Sequence, residues 1–246
     1  MKASDRRPAF GRLAFLDALR GAAVLAMIAY HFGFDLNTLG WLHQDLNHDW
    51  RWLTARALIL GSFLFVAGAG VAFAEARNTP LKTQLLRIAR IAAAALLVTA
   101  GSWLAFPKSA IYFGTLHAIA AMGLAMLAVP RGVWPACALG VTALVFGNLY
   151  SSNVFDQPAL AWLGLMTHKP VTEDYVPLLP WFGVCLIGYG AAHSVIRRPS
   201  MFNALARPAR KRQRLAWIGR HSLVIYLLHQ PLLLGILIPL TRLLRP

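Results

Sequence analysis

Seven long apolar runs dominate this sequence, and each is close to the length that an α-helix needs to cross a lipid bilayer. A transmembrane helix takes about 20 mostly apolar residues. The composition agrees with this interpretation, because 58% of the 246 residues are hydrophobic and 13% are charged, whereas a soluble domain carries about 25% charged residues. The runs cover 13–33, 53–75, 84–106, 112–130, 132–150, 178–196 and 215–240. The sequence therefore predicts an all-α, polytopic membrane bundle that forms a single domain over 1–246.

The distribution of positive charge predicts the orientation of this bundle. The chain carries 24 Lys and Arg against 9 Asp and Glu, and an excess of Lys and Arg marks cytoplasmic segments. If the N-terminus is cytoplasmic, most cations fall on that side, notably in a basic tail, 1–11, and a basic loop, 197–214. The outer side then carries the loops 34–52 and 151–177, within which 155–167 is predicted to be a short interfacial or re-entrant helix.

The same charge distribution bears on possible partners. A cytoplasmic collar of Lys and Arg is suited to anionic lipid head groups. The sequence has no RNA-recognition or zinc-finger pattern, so nucleic-acid binding is not expected. Cys137 and Cys185 both lie inside apolar runs, which predicts neither a disulfide nor a metal cluster.

Ionisable residues in the first apolar run need a special explanation. Each costs about 2.5–3.5 kcal/mol at the centre of a bilayer. Asp17, Arg20 and His31 lie within an arc of about 60° on one helical face. They are interpreted either as a structural ion pair with a histidine at the helix end, or as the lining of a cavity. Arg20 and His31 are about 16 Å apart along the axis, which would suit a long cofactor with phosphates near Arg20.

Further polar residues appear in the last and fourth runs. Ser222, Tyr226 and His229 form one polar stripe on the last helix, and His117 stands near the outer end of the fourth. Interhelical hydrogen bonds would explain the stripe without any function. Small residues around Gly68 in the second run predict close helix packing.

The first outer loop carries His43, Asp45, His48 and Asp49 beside several tryptophans. The spacing of these histidines matches no zinc signature, so no metal site is predicted. A His–Asp pair that acts as an oriented base is the more attractive interpretation, because histidine titrates near neutral pH.

Several short motifs are spread over about 12–240. They are Leu16-Asp17-Ala18-Leu19-Arg20-Gly21, Tyr30-His31-Phe32 with Asp35, Gly61-Ser62-Phe63-Leu64-Phe65, Tyr112-Phe113-Gly114-Thr115-Leu116-His117, the stretch from Asp174 to Gly183, Gly219-Arg220-His221-Ser222-Leu223, and Tyr226-Leu227-Leu228-His229-Gln230-Pro231. Through these motifs the chain resembles the small bacterial membrane proteins grouped with the catalytic domain of heparan-α-glucosaminide N-acetyltransferase, in the wider clan of transmembrane acyltransferases.

The resemblance implies an enzyme of the bacterial plasma (inner) membrane. Such an enzyme takes an acyl group, usually acetyl, from cytoplasmic acyl-CoA and passes it to a hydroxyl or amine of an extracytoplasmic glycan. By position, His48 best matches the family's catalytic histidine in the first outer loop, and His43 is its rival. His31 instead matches the first-helix histidine of the wider clan, so both His48 and His31 stand as catalytic candidates.

The resemblance also suggests roles for the other polar residues. Asp49 or Asp35 would orient the catalytic imidazole, and Arg20, held by Asp17, would bind coenzyme A phosphates. Ser222, Tyr226 and His229 would donate hydrogen bonds to the thioester oxyanion, and His117 would add to the cofactor site. A transporter or flippase, or a non-catalytic assembly protein, remains the alternative, and an oligomer is possible.

Overall fold

The structure, a computed structural model, describes residues 13–206 and 210–244, and within these ranges all regular structure is helical. The α-helices are α1 (Ala14–Thr38), α2 (Trp50–Ala76), α3 (Leu81–Ala105), α4 (Thr115–Ala125), α5 (Val133–Leu149), α6 (Trp181–Ile196), α7 (Pro199–Ala206), α8 (Arg210–Arg220) and α9 (Ser222–Leu244).

Four of the described helices, α1, α2, α3 and α9, are long and apolar enough to cross a membrane. Three further helices are also apolar but shorter: α5, α6 and α4, the last with its extension to Ala128. The all-helical membrane class is therefore confirmed, whereas the count of seven spans stays a prediction.

The last predicted span, 215–240, begins in the wrong place. The chain turns at His221, and α9 begins only at Ser222. Residues 210–220 instead form the separate helix α8, whose first turns are strongly basic. Charged side chains of this kind are excluded from the centre of a bilayer, so α8 does not belong to the last span. The predicted basic loop, 197–214, is accordingly helical over most of its described length, in α7 and the start of α8.

The outer connections also differ from their predicted forms. α1 continues to Thr38 and α2 begins at Trp50, which shortens the first outer loop to 39–49. Instead of one helix over 155–167, the second outer loop contains two 3-10 turns, at Asn153–Asp156 and Ala161–Leu163. Gly164, inside the predicted helix, has a φ of +88°, and this left-handed conformation does not continue an α-helix.

α2 and α6 form a close helix pair at the centre of the bundle. A β-carbon on Gly68 would collide with the Cys185 carbonyl, and one on Gly188 would collide with the Phe65 carbonyl. Small residues let two helix backbones approach to this distance. The packing predicted from the small residues of the second run is confirmed, and α6 is the partner.

α1 and α8 make a second close contact, at the start of α1. Gly21 faces the carbonyl of Leu215, and Gly219 faces the carbonyl of Asp17. The basic helix α8 is thereby held against the same turns of α1 that carry Asp17 and Arg20.

α3 and α9 lie at the periphery of the bundle. In their most apolar stretches only 17% and 11% of the residues are buried. Their exposed side chains include Leu97, Leu104, Leu232 and Ile236. Apolar surface of this kind is stable against lipid rather than water, in agreement with an integral membrane protein.

Candidate functional site

Two histidines from α1 and α9 meet inside the bundle. The ring centroids of His31 and His229 are 5.0 Å apart. His229 is buried, with 8% of its surface exposed, whereas His31 is only partly buried. The ring of Tyr30 lies 5.4 Å from that of Trp52, which joins α2 to this region. The structure thus brings together a predicted catalytic residue and a predicted cofactor-binding residue.

A buried carboxylate lies one helical turn after His31. Asp35 is 3% exposed, and its Oδ1 accepts a hydrogen bond of 3.2 Å from Nε2 of Gln230. We refer to His31, Asp35, His229 and Gln230 as the α1–α9 cluster. Gln230 was missed as a site residue by sequence reasoning, and its position directly after His229 in the closing motif was the available signal.

The α1–α9 cluster contains unsatisfied buried polar atoms. Asp35 Oδ2, His229 Nε2 and Gln230 Oε1 have no hydrogen-bond partner among the described residues. An unsatisfied buried polar group costs about 1–3 kcal/mol, and native proteins rarely retain one without a reason. Three in one cluster leave unused hydrogen-bonding capacity at this point of the bundle.

His117 belongs to a different polar group, at the start of α4. The Thr99 hydroxyl donates to the Ile111 carbonyl at 2.7 Å, so its oxygen accepts from Nε2 of His117 at 3.1 Å. Nδ1 of His117 in turn accepts from the Gly114 N–H at 3.3 Å. Both ring nitrogens are therefore used within the protein, which favours a structural role for His117.

Asp174 completes this second group, which we call the α4 cluster: Thr99, Thr115, His117 and Asp174. Asp174 Oδ2 accepts a 2.7 Å hydrogen bond from the Thr115 N–H. Burial raises the pKa of Asp174, and the hydrogen bonds from Thr115 oppose that rise. The hydroxyl of Tyr226 reaches the same two residues. Asp174 was missed as a site residue, although it begins one of the family motifs.

Tyr226 therefore connects the two clusters. Its hydroxyl lies with Asp174 and Thr115, while its carbonyl oxygen is 2.6 Å from Nδ1 of His229. Ser222, the third member of the predicted stripe, is the half-buried first residue of α9.

The opposite end of α1 carries the predicted ion pair. Arg20 Nη1 lies 3.3 Å from Asp17 Oδ1, and Asp17 is 5% exposed. Gly21, which follows Arg20 directly, lies against α8. The Asp17–Arg20 pair is confirmed, and α8 covers the turn that carries it.

The first outer loop has a different arrangement from the predicted one. Nδ1 of His48 lies 3.0 Å from the carboxylate of Asp45, and the His48 side chain is 85% exposed. The hydrogen bond from His48 lowers the pKa of Asp45. Asp49 instead caps α2 by accepting from the Arg51 N–H at 2.8 Å. Thus Asp45, rather than Asp49, orients His48.

A further polar group, which sequence reasoning missed, joins α2 to α6. The Tyr189 hydroxyl donates to Glu75 Oε2 at 2.7 Å, and Nε2 of His193 lies 3.3 Å from the same oxygen. Glu75 is the single acid of the second apolar run, which was the available signal. These hydrogen-bonding groups pair with one another and link α6 to α2.

The polar clusters of the described residues form no metal site, and a surface depression lies away from them. Within 13–206 and 210–244, no group of three or more His, Cys, Asp or Glu is placed to hold a metal ion. A shallow depression of about 450 Å³ is lined by α3 residues, among them Leu81, Leu85 and Ala89. It does not include Arg20 or His31, so the predicted cavity along their face stays a prediction.

Apolar helices of membrane-spanning length, built around a buried histidine–carboxylate cluster, define an integral membrane protein with a polar site in its interior. The family model described as heparan-alpha-glucosaminide N-acetyltransferase, catalytic, matches residues 12–231, and the chain belongs to this family. Membership implies transferase activity of the transmembrane acetyltransferase kind. Comparison with curated proteins and with solved structures gave no match.

Proposed function

We propose that this protein moves an acetyl group from cytoplasmic acetyl-CoA to a hydroxyl or amine of an extracytoplasmic glycan or similar acceptor. The observation that carries the proposal is the contact of His31 with His229 beside buried Asp35. Family membership supplies the reaction class. The α1–α9 cluster supplies groups of the kind that acyl transfer to a hydroxyl or amine requires.

The donor end of the proposed site is the Asp17–Arg20 pair. A guanidinium binds phosphate through two parallel hydrogen bonds and keeps its charge at every physiological pH. A carboxylate 3.3 Å away holds the Arg20 side chain in place. Arg20 is about 16 Å from His31 along α1, a span suited to coenzyme A with its phosphates at one end and its thioester at the other.

The acceptor end of the proposed site is the α1–α9 cluster. His31 is the more exposed of its two histidines, so an incoming acceptor would reach it before His229. Tyr226 positions His229 through its carbonyl, and Ser222 stays a candidate donor to the thioester oxyanion. His48 and His43 lie on the neighbouring outer loop, where a glycan would arrive.

The proposed setting is a bacterial inner membrane with a cytoplasmic N-terminus. The basic segments around α7 and α8 support this orientation, because Lys and Arg concentrate on the cytoplasmic side. They would also contact anionic lipid head groups.

The proposal is tested with purified protein, radiolabelled acetyl-CoA and a panel of amino sugars and oligosaccharides. We expect the wild type to label at least one acceptor and His31→Ala to lose that activity. His168→Ala is the matched control, because His168 is an exposed histidine of the second outer loop and should leave the activity unchanged. Folded wild-type protein that labels no acceptor would contradict the proposal.

A further inference from the structure

The orientation of the His229 ring determines which of its nitrogens carries hydrogen. Nδ1 lies 2.6 Å from the carbonyl oxygen of Tyr226, three residues earlier on α9. A carbonyl oxygen has lone pairs and no hydrogen, so Nδ1 must be the donor in this contact. In the neutral ring the second nitrogen, Nε2, then carries a lone pair.

This lone pair is held in a buried position. Nε2 of His229 has no hydrogen-bond partner among the described residues, and the side chain is 8% exposed. The other two unsatisfied atoms of the cluster, Asp35 Oδ2 and Gln230 Oε1, are acceptors as well. The cluster therefore presents acceptors to an incoming group, which favours a group with its own hydrogen, such as a hydroxyl or an amine.

Comparison with other histidines distinguishes His229 from structural ones. His117 uses both ring nitrogens within the protein. His221 makes the same kind of contact as His229, with its Nδ1 2.9 Å from the Trp217 carbonyl, but it is exposed. His229 differs from both because its ring is oriented, its Nε2 has no hydrogen-bond partner among the described residues, and its side chain is buried.

We infer that Nε2 of His229 accepts the proton of the acceptor during acyl transfer, an inference that rests on the proposed function. The acceptor oxygen or nitrogen attacks the thioester carbonyl carbon as its hydrogen moves to Nε2. The carbon–sulfur bond breaks, and the sulfur leaves with the electron pair. The imidazolium then returns the proton to that thiolate, so free coenzyme A and the acylated acceptor are the products. His229 is a base in this scheme and not a donor to the oxyanion.

The first test concerns the tautomer and needs no substrate. Protein labelled with ¹⁵N-histidine is studied by NMR at a pH where the ring is neutral, and His229 is assigned by comparison with His229→Gln. We expect the hydrogen on Nδ1 and an unprotonated Nε2. The opposite tautomer would overturn the inference.

The second test is kinetic. His229→Gln keeps an amide N–H for the Tyr226 carbonyl but removes the base, so we expect kcat to fall by about 10²- to 10⁴-fold. We also expect added imidazole to restore part of the activity of His229→Ala, which a merely structural role would not allow. His221→Gln is the matched control and should keep wild-type kcat.

The kinetic outcomes separate this inference from the proposed function. A wild type that transfers no acetyl group would refute the proposed function. If the wild type is active and its His229→Gln variant is equally active, the role of His229 is refuted but the proposed function is not.

Discussion

At the scale of single residues, burial distinguishes the histidines that were equal candidates in the sequence. His48 lies in an exposed loop with its carboxylate partner also at the surface, where water weakens the pair. His31 contacts His229 beside a buried carboxylate, in an environment of lower dielectric constant where such groups act more strongly on a reacting atom. The structure therefore favours His31 over His48.

The comparison of two alanine variants tests this preference. We expect His31→Ala to lower kcat/KM at least about 100-fold, since His31 contacts the His229 base and a general base contributes about 10²- to 10⁴-fold. His48→Ala should stay within about tenfold of wild type. Acetyl transfer by purified variants is the measurement, with circular dichroism as the control for folding. The reverse order of effects would place the essential histidine in the outer loop.

Two outer-loop carboxylates should respond to pH in opposite directions. Burial raises the pKa of Asp174 above its ordinary value of 3.8, so the folded state binds that proton more tightly, and stability falls as pH rises through the raised pKa. The hydrogen bond from the Thr167 N–H lowers the pKa of Asp156, so its stabilising contribution is present above pH 3.8 and lost as pH falls through the lowered value.

Asparagine variants of Asp174 and Asp156 test both directions of this pH dependence. Asp174→Asn should lessen the loss of stability as the pH rises above 4, whereas Asp156→Asn should lessen the loss as the pH falls below 4. The measurement is the midpoint of thermal unfolding as a function of pH. Identical pH profiles for wild type and Asp174→Asn would show that Asp174 titrates normally.

Helical periodicity predicted some of these residue contacts and could not predict others. Asp17 and Arg20 lie within one turn of a single helix, so their pairing follows from local geometry. The contact of His31 with His229 joins helices almost 200 positions apart along the chain. Periodicity identifies the polar face of each helix but not the helix that the face meets. For the same reason the contacts of Gln230 and Asp174 became visible only in the folded chain, although both residues stand in family motifs.

At the scale of helices, the glycines of α2 and α6 explain how the bundle is held together. Gly188 fits against the Phe65 carbonyl with no space for a β-carbon. Gly101 on α3 has no atom within 4 Å of such a carbon. The two positions form a matched pair for testing helix packing.

Alanine at these positions should change stability with opposite signs. Gly188→Ala should lower the free energy of unfolding by about 1–3 kcal/mol, because helices α2 and α6 must separate. Gly101→Ala should raise it by about 0.5–1 kcal/mol, because alanine favours an exposed helix. Unfolding in mild detergent measures both. A neutral Gly188→Ala would mean that α2 and α6 are less closely packed than described.

The predicted helices agreed with the structure where hydrophobicity alone determined them. α1, α2 and α3 formed close to their predicted runs. The prediction of one span over 215–240 was wrong because it joined the end of α8 to α9. Hydropathy does not report the turn at His221, which comes two residues after Gly219, a residue that packs against α1.

At the scale of the whole molecule, the orientation in the membrane follows from charge and awaits a direct test. We expect Asn47→Cys, in the first outer loop, to react with a membrane-impermeant maleimide added to intact cells. Thr83→Cys, at the start of α3, should react only after permeabilisation. Both variants are made in a Cys137→Ser, Cys185→Ala background. Labelling in the reverse order would invert the topology and place the Asp17–Arg20 pair outside.

The most direct test of the whole account is acetyl transfer across a bilayer. Proteoliposomes that enclose an acceptor identified in the detergent assay receive radiolabelled acetyl-CoA on the face that carries the N-terminus. We predict that wild-type protein labels the enclosed acceptor and that His31→Ala and His229→Gln do not. No labelling by correctly inserted wild type would contradict the account. Labelling by His31→Ala and His229→Gln equal to that of wild type would contradict acyl transfer at the α1–α9 cluster.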